Sequence, residues 1–289
     1  GSMDIRFAME NVTSTYYKDL PPISAQSGEA QLLDNDFALQ MKNASIAVPS
    51  GGNLKISKGD LQFTGLVAVE TLSSYTLEGT GKAQTVLEFL NLPALSLVGS
   101  AGVDTERIAA DTAFSIGLKM PLIKDVPRSR VVATAKARLT NTTIKGALEK
   151  IDITDGTFDL TVAKGELDAN GNAKLNGKDV EISWHRGRGK GARQSAKIQA
   201  TLDDDDRQKI GIDLSDFVAG PIPITATVSD LGNKAAPIAF AADLSKVSMS
   251  IAPISWKRGP TPKTSATFNF YPGGEGGRRV ENLEIEGPG

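Results

Sequence analysis

The chain has 289 residues, 40% of them hydrophobic, with 32 basic against 34 acidic residues and a formal net charge of −2. That balance excludes the basic footprint of a generic nucleic-acid binder, and the absence of cysteine excludes thiol catalysis, disulfides and thiolate metal sites. No apolar run reaches the ~18 residues that a membrane-spanning helix needs.

Gly1-Ser2 reads as an expression scar, so residues 1–3 are scar and start. Alternation then begins at once through Ile5, Phe7 and Met9, and it recurs near the far end at Leu283 and Ile285. The expectation is a piece of a longer strand-rich chain, with any signal or anchor outside it.

Residues 5–80 are a succession of short alternating runs, among them Leu39/Met41, Ile46/Val48, Leu54/Ile56, Leu61/Phe63 and Tyr75/Leu77. Pro21-Pro22, Pro49, Gly51-Gly52 and Lys58-Gly59-Asp60 punctuate them, which predicts a large antiparallel sheet rather than β-α-β units. Val86, Leu87, Leu90 and Leu92 are spaced for a helix that Pro93 stops, predicting a helix over about 83–91. Alternation returns from Phe114 to Met120, breaks between Pro121 and Pro127, where a loop is expected, and resumes from Val131 to Leu139.

The clearest stretch is Ile151 to Trp184. Phe158, Leu160 and Val162 alternate with polar residues, as do Val180, Ile182 and Trp184, the period of strands with one apolar and one wet face. Asp155-Gly156, Asn170-Gly171 and Asn176-Gly177 are expected as tight hairpin turns between them. Beyond Trp184, Ala196 to Leu202 reads as a strand, Asp203 to Val218 as a second helix with the aspartates at its start, and Ile222 to Phe270 as further strands. The total is roughly twenty short strands and two short helices.

Reactive residues are sparse. His185 is the single histidine, so no histidine metal cluster exists, and a strand-end role is favoured over a catalytic one. The segment from Gly187 to Arg193 reads as a hairpin tip rather than a phosphate loop, because a strand and not a helix follows it. The interesting alternative is contact with anionic headgroups through Arg186, Arg188, Lys190 and Arg193. The run Asp203-Asp204-Asp205-Asp206 fits helix capping better than calcium binding, since an EF-hand loop alternates its ligands around a glycine. Asn11, Asn43 and Asn141 open glycosylation sequons of the kind that a chain rich in Asn and Thr generates by chance. What remains is a long one-sided apolar alternation, which fits either a filled core or an open trough lined for acyl chains.

The segments QTVLEFLNLPAL, IGLKMPLIKDVPRSRVVATAKARLTNTTIKG, ITDGTFDLTVAKGELDANGNAKLNGKDVEISW, DDDDRQKIGIDLSDFVAGPIPITATV and AADLSKVSMSIAPISWKRGPTPKTSATF span about residues 84–270. They resemble the AsmA-like repeat proteins of Gram-negative bacteria, in the branch related to YhdP and, more distantly, TamB. The resemblance implies a mostly β fold, an elongated, curled antiparallel sheet (a β-taco or groove) with two short helices. It would be a single fragment over residues 4–289, with a subdivision near 83–127 as an option. It further implies a periplasmic protein, anchored in the inner membrane by a segment absent here, that conducts phospholipid or another acyl lipid between membranes. Its partners would be the lipid, the remainder of the same long chain and the inner membrane, with no nucleic acid, no cofactor, no metal and no catalytic residue. The lining would comprise Leu61, Phe63, Phe158, Leu160, Val162, Leu175, Val180, Ile182, Trp184, Met249, Ile251, Phe268 and Phe270. The competing classes are a structural or adhesive β-sandwich or solenoid with a filled core, and a polysaccharide-active enzyme. The enzyme would need paired carboxylates and aromatic platforms that two Trp and four Tyr scarcely supply.

Overall fold

The computed structural model describes residues 3–16, 19–95, 105–148, 151–187, 192–209, 213–231, 233, 235–272 and 279–288. It is mostly β. A first run of strands comprises β1 (Asp4–Ser14), β2 (Ile23–Leu33), β3 (Asp36–Ala47), β4 (Asn53–Thr64) and β5 (Leu72–Lys82), followed by helix α1 (Ala83–Asn91). Then come β6 (Ile108–Pro121), β7 (Val132–Leu148), β8 (Ile151–Ala163), β9 (Glu166–Leu175), β10 (Lys178–Arg186) and β11 (Gln194–Leu202). Helix α2 (Asp204–Lys209), β12 (Val218–Ala219), β13 (Ile222–Val228) and β14 (Ile238–Asp243) follow. The chain continues through β15 (Ser248–Ile251), β16 (Trp256–Arg258), β17 (Ser265–Tyr271) and β18 (Arg279–Glu286). Fifteen strands are hydrogen-bonded in chain order as one antiparallel sheet with β1 and β18 at its edges, while β12, β15 and β16 form a separate three-stranded sheet. Contacts divide the chain into two compact units between Ala169 and Asn170, within β9. The segment 83–127 lies wholly inside the first.

Turn chemistry corrects part of the sequence reading. Asn176-Gly177 is a turn, with φ of +51° and +80°, but Asp155-Gly156 lies inside β8 and Asn170-Gly171 inside β9. Asp155 has φ of +52° and sits where the β7–β8 register shifts, so it forms a bulge rather than a hairpin. The turn between β8 and β9 is Lys164-Gly165, with φ of +53° and +81°. Positive φ at both central residues is what a two-residue hairpin needs.

In the first unit the alternation is interrupted at one level. Gln26-Ser27, Lys42-Asn43 and Ser57-Lys58 are successive exposed residues within strands whose flanking positions are buried, and Ser27 lies opposite Lys42, which lies opposite Lys58. On β1, Asn11 falls at the same level, and Asn11 and Asn43 both have φ of +52°. Each extra residue returns the apolar set to the same face above and below the break. Such bulges bend and twist strands. The sequon asparagines Asn11, Asn43 and Asn141 all carry φ of +52° within strands, so the motifs mark backbone positions that asparagine tolerates better than most residues.

The bent face encloses a dry core. Ile46 and Leu54 are fully buried and Ile23, Ile56 and Ile116 nearly so. Helix α1 contributes Val86, Phe89 and Leu90 to this cluster, and the connections contribute Leu20 and Val126. The backbone N–H of Ser50 donates to Glu88 Oε1 at 2.8 Å, holding the β3–β4 turn to α1. Gly79 is obligatory, because a Cβ there would lie 2.3 Å from the carbonyl oxygen of Lys55 and 3.0 Å from the Phe114 ring.

The second unit has a smaller core of Ile222, Ala242, Leu244, Val247 and Ala266, against which Val218 and Met249 of the small sheet pack. The predicted helix 203–218 is shorter than expected. Asp213 accepts hydrogen bonds from Ser215 N and Oγ at 3.1 and 2.7 Å, a local pairing that competes with helical bonding. Val218 then enters β12.

Candidate functional site

Strand register in the second unit assembles three apolar rows across β10, β11, β13, β14, β17 and β18. Trp184, Ala196, Val228, Ile238, Phe270 and Val280 face one another in succession. Beside them run Ile182, Ile198, Ala226, Phe240 and Phe268, and then Val180, Ala200, Ile224, Ala242, Ala266 and Ile285. Neighbouring strands lie ~4.8 Å apart, so a row over six strands is about 24 Å long. The intervening rows point to the other face and are largely polar, as in Ser183, Lys197, Thr227, Ala239, Asn269 and Glu281.

The first two rows are half-buried from Trp184 and Ile182 through Phe270 and Phe268, and the apolar surface continues onto exposed Val280, Leu283 and Ile285 of the edge strand. Only the third row is covered in part, at Val180, Ala242 and Ala266. Phe240 stacks on Phe268 with centroids 4.9 Å apart and meets Phe270 edge-on at 6.4 Å. The contrast with the first unit is one of packing: there the apolar face carries a large cluster of buried residues, here the first two rows contain none.

The structure sorts the predicted lining residues accordingly. Val180, Ile182, Trp184, Phe268 and Phe270 share these three rows. Leu175, on β9, is half-buried. Leu61 and Phe158 are corrections: both are buried in the first unit, and Leu61 belongs to its closed core. Phe63 and Val162 pack against that same cluster. Phe63 also stacks on Phe37 at 5.9 Å, and Leu160 on β8 is half-buried beside Ala137. Met249 and Ile251 are a second correction, since β15 belongs to the small sheet and Met249 is a core contact there. Alternation identifies a face but not the sheet to which the face belongs. Ile198, Ile224, Val228, Ile238 and Phe240 share these rows as well and were absent from the predicted set. Between them stand alanines, which weaken the apolar signal.

The basic group is also redistributed. Arg186 is 5% exposed at the end of β10, on the same face as Trp184 and Ile182 by strand parity, so it is a buried residue rather than part of a wet loop. Arg193 is exposed, whereas Arg188 and Lys190 lie outside the described residues. His185 is exposed on the polar face opposite Ser195.

The aspartate run forms a reciprocal cap. Asp206 N donates to Asp203 Oδ1 at 2.9 Å and Asp203 N to Asp206 Oδ2 at 3.0 Å, and Lys178 Nζ is 2.5 Å from Asp206. The hydrogen bond from Lys178 holds the Asp206 carboxyl below the usual range, helped by its backbone bond to Asp203. Among the described residues no group of three or more His, Asp or Glu is placed to hold a metal ion, and no helix is long and apolar enough to cross a membrane. The chain matches no protein-family model, curated protein or solved structure.

Proposed function

We propose that this chain shields lipid acyl chains along the apolar sheet face of its second unit, as one stretch of a path for phospholipid or a similar acyl lipid. The observation that carries this reading is the pair of half-buried apolar rows, without a fully buried member, running from Trp184 to Phe270 and from Ile182 to Phe268. A bilayer core is about 30 Å thick, so one extended acyl chain of ~15 Å fits within a row. Each buried methylene contributes about 0.8 kcal/mol, and repeated neighbours of similar character let a chain slide without a deep trap. The resemblance to AsmA-like proteins supplies the rest of the proposal: a periplasmic, inner-membrane-anchored parent that conducts lipid between membranes without catalysis.

The filled first unit favours a second role for that part of the chain, a packed structural module with no lipid path through its core. Mass spectrometry of lipids extracted from natively purified protein, with uptake of a fluorescent acyl probe, tests the main reading. Retained lipid that is lost in Phe240→Asp and Phe268→Asp is the expected result. Neither lipid nor probe uptake in the unaltered chain overturns it.

A further inference from the structure

The small sheet carries an apolar tip that the acyl-chain reading does not use. In the β15–β16 hairpin Ile251 lies opposite Trp256, and the turn between them holds Ile254 at 68% exposure. Pro253 and the left-handed Ser255, with φ of +54°, fix that turn. Phe217, 51% exposed, is attached alongside, its carbonyl accepting the Ser250 N–H at 2.9 Å. Ile251 and Trp256 are exposed as well. By register Ile251 and Trp256 share one face of the small sheet and Phe217, opposite Ser250, lies on the other, so exposed apolar side chains flank the Ile254 turn on both faces.

Their surroundings are basic. From Leu244 to Thr264 the chain carries Lys246, Lys257, Arg258 and Lys263 and not one Asp or Glu. The three lysines are exposed, while Arg258 is used internally, donating to Thr261 Oγ1 at 3.1 Å and Pro288 O at 3.1 Å. Of the bordering acids, Asp243 accepts from Ser245 N at 2.9 Å and Asp213 from Ser215, while Asp216 and Glu286, the latter opposite Ser265, are exposed.

We propose that this tip inserts into the interfacial layer of an anionic lipid bilayer. Ile254 and Phe217 would enter the acyl boundary and the Trp256 indole would sit at headgroup depth, with its N–H in the wet layer. Lys246, Lys257 and Lys263 would face lipid phosphates. A rim in which Lys246, Lys257 and Lys263 outnumber the exposed acids Asp216 and Glu286, around an aliphatic and indole tip, is complementary to negative headgroups over hydrocarbon, and a neutral protein surface would leave those lysines unmatched. The tip residues Phe217, Ile251, Ile254 and Trp256 belong to none of the apolar rows, so either assignment can fail alone.

The test uses the full chain and vesicles of phosphatidylcholine with or without about 30% phosphatidylglycerol. Trp184→Phe leaves Trp256 as the sole indole, because the chain has two Trp. Expected results are co-sedimentation with the anionic vesicles, quenching of Trp256 by brominated lipid, and at least about tenfold weaker binding for Ile254→Asp. Lys246→Gln with Lys257→Gln and Lys263→Gln should remove the preference for anionic vesicles, while Phe240→Asp should leave vesicle binding intact. Ile254 is exposed in a surface turn, so its change leaves the fold standing. Absence of binding to anionic vesicles overturns the proposal, as does binding that is indifferent to Ile254→Asp or that leaves Trp256 unquenched. A concentration-dependent dimer abolished by Ile254→Asp, without vesicle binding, would overturn it in favour of a protein interface.

Discussion

The ring of Tyr16 lies 6.2 Å, centroid to centroid, from that of Tyr75, although Tyr16 follows β1 and Tyr75 is on β5. In a flat sheet those strands would be about 19 Å apart. Tyr16 therefore lies over the inner face of the first unit, and the aligned bulges bend that face toward it. The Tyr16 hydroxyl is buried without a hydrogen-bond partner, and burial pushes its pKa well above the ordinary 10.0. Replacing it with Phe should stabilise the protein by about 1–2 kcal/mol, because an unpartnered buried donor carries its full desolvation cost. A raised folded pKa means that stability is complete below pH 10 and declines as pH rises above it. Denaturant melts at neutral and alkaline pH check both: Tyr16→Phe should shift the midpoint up and lessen the alkaline loss.

The two apolar faces should respond oppositely to a buried charge. Leu54 is fully enclosed, so Leu54→Asp should cost more than about 4 kcal/mol and abolish the cooperative melt. Phe240 is half-buried on a row with no fully buried member, so Phe240→Asp should cost about 1–2 kcal/mol, mainly its stacking on Phe268. Circular dichroism melts of the two variants separate a filled core from an open face. Equal collapse of both would mean that the second unit is packed as tightly as the first.

Much of this division was hidden from the sequence for a physical reason. Period-2 alternation places Val180, Ile182, Trp184, Phe268 and Phe270 on one face correctly, because parity is local. Whether a face is covered depends on remote elements: α1 and Leu20 in the first unit, and the small sheet over Ala242 and Ala266 in the second. Leu61 and Phe268 therefore look alike in sequence and differ in packing. Met249 and Ile251 obeyed the same parity on a different sheet. The bulge asparagines were visible as sequons, and only the backbone revealed what Asn11, Asn43 and Asn141 share.

The capping pair at α2 gives a pH dependence of defined sign. Asp206 titrates below the ordinary 3.8 because Lys178 donates to it, so its contribution is present above that value and is lost as pH falls through the lower folded pKa. Lys178 is raised above 10.5 by the same partner, so its contribution is complete below 10.5 and is lost at higher pH. Asp206→Asn should flatten the acid limb of the stability curve. Asp203→Ala, which removes the acceptor for Asp206 N, should cost about 1 kcal/mol at neutral pH. Urea titrations across the acid range provide the measurement, and an unchanged acid limb in Asp206→Asn would place the titrating group elsewhere.

Arg207 joins α2 to the strand that leads into the small sheet. Its side chain is 5% exposed and pairs with Asp204, while Nη1 donates to the carbonyls of Leu202 at 3.0 Å and Gly220 at 2.9 Å. Asp204 Oδ1 in turn accepts the Gly220 N–H at 3.1 Å. Arg207→Met keeps the stem but strands two carbonyls and leaves Asp204 with a single backbone partner, so a loss of about 3–5 kcal/mol is expected. Arg207→Lys should recover only part of it, because one ammonium cannot reproduce the planar fork. Hydrogen exchange locates the effect: protection should fall first at the amides of Gly220, Met249 and Ser250, while those of Leu54 and Ile116 in the first unit keep theirs. Uniform loss across both units would show that Arg207 supports the whole chain rather than this one junction.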